Sequence, residues 1–252
     1  MKKINFIGMA ALAFLLTLTT SCLDSNGGGG YDAAEYVTLE GSNPFYDVYG
    51  DTGIKYEVQN PDKLLLKNTS GGDFKYHRAL MYFDYEDNDK EAKTRKVKVV
   101  AIEPLPESKV TMVVADSLLV EGTKEIDTEK YQPFTQEGGA RYNRGYFTLS
   151  FNYIPVKDLS IDNFILAVDK VEGNSVNLRL INTKKRYSDG YVSNSYPIIM
   201  SFKLDPYELR GNYPDINFSE DITFKLEVDI LREGIKSFGD KPILVKLNQF
   251  GL

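Results

Sequence analysis

The sequence predicts an all-β protein, with an N-terminal OB-like small barrel followed by a C-terminal β-sandwich. Three features point there. Short runs alternate apolar and polar residues with period two, turn residues separate the runs, and no long stretch holds a 3.6-residue period. The clearest run is 222–230, where Ile, Phe, Leu, Val and Ile alternate with Thr, Lys, Glu and Asp. Such a strand is half-buried, with one face on a core. The 252 residues are enough to bury a real core, and 17 Tyr and 14 Phe argue against wholesale disorder.

Residues 1–21 read as an export signal rather than as part of the fold. Lys2 and Lys3 precede an almost wholly apolar run from Ile4 to Leu18, and Thr19, Thr20, Ser21 and Cys22 follow. The run is shorter than the ~20 apolar residues of a membrane span. The single cysteine stands where cleavage is expected, an arrangement that resembles a bacterial lipoprotein signal. The resemblance implies that Cys22 becomes the new amino terminus and carries acyl chains, palmitate among them. Several chains on one residue make a stable anchor, where one alone is marginal. An ordinary secretory cut near Ser21 is the alternative. Leu23 rather than Asp follows the cysteine, which favours the outer membrane and leaves open the side that the body faces. Residues 22–34, with glycine at 27 to 30, read as a flexible tether. Removing residues 1–21 takes two lysines and no acid, so formal charge moves from −6 to −8. An acidic exported body is a poor match for nucleic acid.

The barrel, residues 35–104, offers strands at 36–39, 54–58, 64–66, 79–85 and 97–102. Pro104, Leu105 and Pro106 mark its end, because two prolines around one residue interrupt a ladder and stiffen the connection. The sandwich, residues 105–252, offers strands at 146–153, 176–181, 198–204, 222–230 and 243–247. Residues 121–141 lack periodicity and read as a long loop, and 156–164 has room for one or two helical turns.

Several of these segments resemble a family. The ending Ser21-Cys22-Leu23-Asp24 is similar to those of Bacteroidales lipoproteins. The run 78–85, an acidic turn and the run 96–102 look like the close of the first domain of NigD-like lipoproteins. Residues 145–151 and 176–180 look like paired strands of the second domain. The resemblance covers most of the chain after residue 21 and implies an OB-type barrel followed by a β-sandwich. The family has no agreed activity, and its immunity role was proposed from a bacteriocin-linked locus alone. It supplies no catalytic residues to carry over.

The candidate chemistry is sparse. One cysteine excludes a disulfide framework and a zinc cluster, and one histidine excludes His-rich metal sites. His77, at a strand start, reads as an ordinary hydrogen-bonding residue before it reads as a general base. Residues 84–91 hold five carboxylates but lack the glycine of a calcium loop, so they read as a solvated turn. The basic stretch 93–98 reads as the wet face of a strand balancing that turn. Richest is 184–197, where Lys185, Arg186, Tyr187, Tyr191 and Tyr196 share what reads as one loop. Tyrosine gives flat contact area and a hydroxyl at low entropic cost, as in binding paratopes. The expectation is a non-catalytic outer-membrane lipoprotein that binds a partner protein or an extracellular glycan through these residues, with no cofactor and no metal. The alternatives are a carboxylate-based hydrolase acting at the cell envelope and a bacteriocin-associated immunity or structural envelope protein.

Overall fold

The computed structural model describes residues 30–42, 45–67, 73–89, 91–113, 134–154, 163–183, 195–230 and 233–246. Nearly all of them lie in strands or in the turns between strands, as the alternating pattern predicts.

Seven strands come before residue 105. They are β1 (Ala33–Ser42), β2 (Phe45–Gly50), β3 (Lys55–Val58), β4 (Leu66–Lys67), β5 (Asp73–Phe74), β6 (Arg78–Tyr85) and β7 (Thr94–Pro104). Five of them close a barrel in the order β1-β2-β3-β7-β6, with β6 returning to β1. β3 meets β7 in parallel and every other pair is antiparallel, which is the OB-type arrangement. Alternation decides the core. Val37, Leu39, Val48, Tyr56, Ala79, Met81, Phe83, Val97 and Val99 point inward and are buried. Gly41 turns the β1–β2 hairpin at φ +99°, where a Cβ would stand 2.5 Å from the Phe45 carbonyl oxygen, so only glycine fits.

The remaining strands are β8 (Glu107–Thr111), β9 (Phe134–Asn143), β10 (Tyr146–Tyr153), β11 (Phe164–Glu172), β12 (Ser175–Asn182), β13 (Tyr196–Lys203), β14 (Ile222–Ile230), β15 (Gly234–Ser237) and β16 (Ile243–Val245). They run in the order β15-β14-β12-β11-β8-β13-β10-β9, with β16 on the outer edge of β14 beyond β15. β8 is the bridge, parallel to both β11 and β13. The two layers that it joins face each other across one core and come close to closing into a second barrel. Phe147 of β10 meets Phe224 of β14 with ring centroids 5.0 Å apart. Each fully buried aromatic of this kind contributes about 1.5–3 kcal/mol by leaving water.

Three expectations need correction. Residues 134–141, read as loop, belong to β9. Their alternation is broken by a bulge at Gly138, where a Cβ would stand 2.6 Å from the Ser150 carbonyl oxygen. Tyr196 and Pro197, read as loop, open β13. Phe164 opens β11 rather than ending a helical turn, and residues 155–162 lie outside the described residues. A short helix, α1 (Pro206–Asn212), was not anticipated. Asp205 caps it by accepting from the Tyr207 and Glu208 N–H groups, and proline begins it.

The acidic turn is satisfied from within. Asp87 accepts from the Lys96 N–H at 2.6 Å and from Arg95 Nε at 3.0 Å. Arg95 in turn lies 3.6 Å over the Tyr85 ring. The Lys96 N–H and then the Arg95 guanidinium hold the Asp87 carboxyl below its usual range. Its contribution to stability is therefore complete above the unfolded value of about 3.9 and is lost as pH falls through the lower folded value. Asp87→Asn should flatten the fall in melting temperature between about pH 4 and pH 2. A wild-type acid slope in the variant would contradict this.

Candidate functional site

Two places stand out among the described residues, a polar joint between the barrel and the second sheet and an aromatic pole at the sheet's far end.

At the joint, Thr38 and Arg78 lie opposite each other on the outer face of the barrel. The Arg78 side chain is 0% exposed. Its Nη1 donates to Thr38 Oγ1 at 2.8 Å and to Asp51 Oδ1 at 2.7 Å. Its Nη2 donates to Asp51 Oδ2 at 3.0 Å and to Thr148 Oγ1, on β10 of the second sheet, at 2.9 Å. Thr148 meets Ser201 of β13 at 3.0 Å. Asn143 Nδ2 reaches back to Asp51 Oδ1 at 2.9 Å and to the Gly50 carbonyl at 3.1 Å. Such a network is worth having only when nearly complete, because a buried charge left alone is costly.

The β9–β10 hairpin clamps the same joint. Arg144 and Gly145 both adopt positive φ, the geometry of a tight two-residue hairpin. This aims Arg144 at the barrel, where it makes a two-pronged pair with Glu40 at 2.5 and 2.7 Å and lies 3.7 Å over the Tyr49 ring. His77 also faces the joint. Its Nδ1 lies 3.1 Å from Glu107 Oε2, and its ring stacks near Tyr146 at 6.3 Å. Glu107 Oε1 accepts from the His77 and Arg78 N–H groups, and the Leu105 N–H donates to the Arg78 carbonyl. The sole histidine is thus a hydrogen-bonding residue of the joint. Nothing local in the sequence marks the joint, because its hydrogen-bonded partners lie up to 104 residues apart.

At the pole, β9 begins, β10 ends and β13 begins, since Tyr153 pairs with both Phe134 and Tyr196. β11 begins and β12 ends there too, with Phe164 opposite Asn182. The rings of Phe134, Phe151 and Tyr153 all pack on Phe164 at 5.2–5.5 Å. Tyr196 stands at the rim, 47% exposed, beside Ser195, whose hydroxyl meets that of Thr135 at 2.6 Å. Of the other residues predicted to bind, Lys185, Arg186, Tyr187 and Tyr191 lie outside the described residues, as does Cys22. Chain connectivity alone places 184–194 between the end of β12 and the start of β13.

A carboxylate-based hydrolase would need a working pair of acids. Burial pushes the Asp229 carboxyl upward, and the Arg179 guanidinium pulls it back. Asp169 pairs with the same arginine. The two acids therefore share a cation. Among the described residues, no group of three or more His, Cys, Asp or Glu could hold a metal ion, and no helix is long and apolar enough to cross a membrane.

No family model and no curated protein sequence matches this chain. Solved structures do. A protein provisionally described as toxin-related, from Parabacteroides distasonis, has a TM-score of 0.54 at 13% identity over 87% of this chain and 96% of its own. An uncharacterized protein from Parabacteroides merdae has a TM-score of 0.52 at 10% identity over 85% of this chain and 99% of its own. A NigD-like immunity protein from Bacteroides caccae is also similar, with a TM-score of 0.49 at 17% identity over 85% of this chain and 92% of its own. These likenesses are of fold. A NigD-like protein stands among the structural neighbours, and the fold shared with the two Parabacteroides proteins extends over nearly the whole length of each.

Proposed function

We propose that this chain is a non-catalytic, lipid-anchored protein of the outer membrane that binds a partner protein or an extracellular glycan through loops of its second domain. Its two domains are residues 35–104 and 105–252, with Cys22 carrying the lipid. The observation that carries the reading is the pole. An exposed tyrosine stands over an aromatic cluster where five strand ends meet, and the connection holding Tyr187 and Tyr191 joins two of those ends. Binding loops on a rigid all-β scaffold are commonly placed in this way. The polarity of the molecule supports the same reading. The chain enters at the barrel, where the Asp32 N–H donates to the Phe83 carbonyl, while the pole lies at the end of β10 away from the barrel contacts.

The test combines location with binding. Intact cells carrying wild type or Cys22→Ala are fractionated and treated with protease. Wild type should sediment with membranes and the variant should become soluble. Binding to glycan and envelope-protein arrays is then compared with the Tyr187→Ala, Tyr191→Ala, Tyr196→Ala triple variant. A binder that weakens at least about tenfold in the triple variant, at an unchanged melting temperature, supports the pole. Full retention of every binder would remove it.

A further inference from the structure

We propose that the corner where the outer face of β1, β6 and β7 meets β9 is a second binding site, which takes a neutral oligosaccharide. Residues directly opposite in an antiparallel pair share a face. Tyr36 is opposite Leu80, and Leu80 is opposite Glu103. Tyr82 is opposite Ala34 and Ala101. The inward set of these strands is Val37, Ala79, Met81 and Phe83, so Tyr36, Tyr82 and Glu103 are all on the outside. Two alanines flank Tyr82 across the ladder, and none of Tyr31, Tyr36 and Tyr82 is fully buried. Tyr31 packs edge-on against Tyr82, with centroids 4.9 Å apart. Arg141 of β9 supplies the wall. Its guanidinium lies 4.8 Å from the Tyr36 ring and its side chain is 35% exposed.

The groups are coupled to one another. Burial first, and then the Glu103 carboxylate, push the Tyr82 hydroxyl up to about 12, and the same carboxylate acts on Tyr36. The site therefore offers aromatic rings, an acceptor carboxylate and a donor guanidinium within one patch. That charge pattern selects the ligand. Vicinal hydroxyls of a sugar donate to Glu103 and accept from Arg141, while the sugar's C–H face lies on a ring. An anion would meet Glu103 on a chain that is already acidic, and an apolar helix would cover Glu103 and Arg141 while offering neither a polar group. The corner belongs to the barrel side of the joint and shares no residue with the pole, so the two proposals fail independently.

The test titrates the chain lacking residues 1–21 with cellohexaose, maltohexaose, mannohexaose and chitohexaose by calorimetry. At least one should bind saturably. Tyr82→Ala and Glu103→Gln should each weaken it by about tenfold or more, from the loss of a ring face and of a charged acceptor. Tyr82→Phe should retain most of the affinity, and the triple tyrosine variant of the pole should bind like wild type. Glu103 is exposed, so its variant keeps the fold and serves as the control for Tyr82→Ala. Saturable binding by none of the four sugars overturns the proposal. So does binding that ignores both corner variants, and so does binding that is lost only in the pole variant.

Discussion

Arg78→Ala should destabilise the protein by about 3–5 kcal/mol in urea unfolding, the cost of stranding one partner of a buried ion pair. The guanidinium serves four acceptor contacts on three residues, and solvent does not screen it because the side chain is 0% exposed. Removing it leaves the Asp51 carboxylate with Asn143 and a distant Arg141, 3.8 Å away, as its remaining partners. Thr148 retains Ser201. The double variant Arg78→Met, Asp51→Leu should recover most of the loss, since replacing both partners with apolar groups can be neutral. A single-variant cost below about 1 kcal/mol would show that the joint adds nothing beyond a surface ion pair.

Phe164→Ala should cost a similar ~3–5 kcal/mol, for a different reason. Its ring is 1% exposed, and three other aromatics pack around it. The substitution removes both the transfer energy of the ring and the contacts that its neighbours make, and leaves a cavity at the pole. The expected readout is a lowered urea midpoint together with broadened signals for Tyr153 and Tyr196. Phe164→Leu should keep well over half of the stability. A variant close to wild type in stability would mean that the pole can collapse around the gap, and that its aromatics are not a rigid platform.

The two stability centres were unequally legible in the sequence. A strand with one wet face, such as β14, announces itself by strict alternation. β11 does not. Its Phe-Ile-Leu-Ala-Val run is buried on both faces, with Ala167 at 0% exposure on the side away from the main core. A two-faced strand has no period to read. β8 escaped because a five-residue bridge placed beside prolines carries too little pattern. At the pole, Tyr196 was legible as an exposed aromatic but not as a strand residue, since exposure and proline at 197 both suggest a loop. The joint was illegible altogether. Arginine, aspartate and threonine on wet strand faces look alike whether water or a second sheet covers them, and the spacing from Arg78 to Thr148 carries no local signal.

The strand order also dictates a sequence of events during folding. All five barrel strands lie before residue 105, so the barrel can close as soon as its own segment is free. The second sheet cannot. β8 must be sandwiched in parallel between β11 and β13, and β12 must await β14. Pairings of such long range are slow to form. Until they form, the barrel stands complete with Arg78 and Asp51 open to water, a folded half with an uncapped polar face. The rate at which the second half arrives, rather than the stability of the first, then governs how long the newly made chain remains vulnerable to proteases and to mispairing.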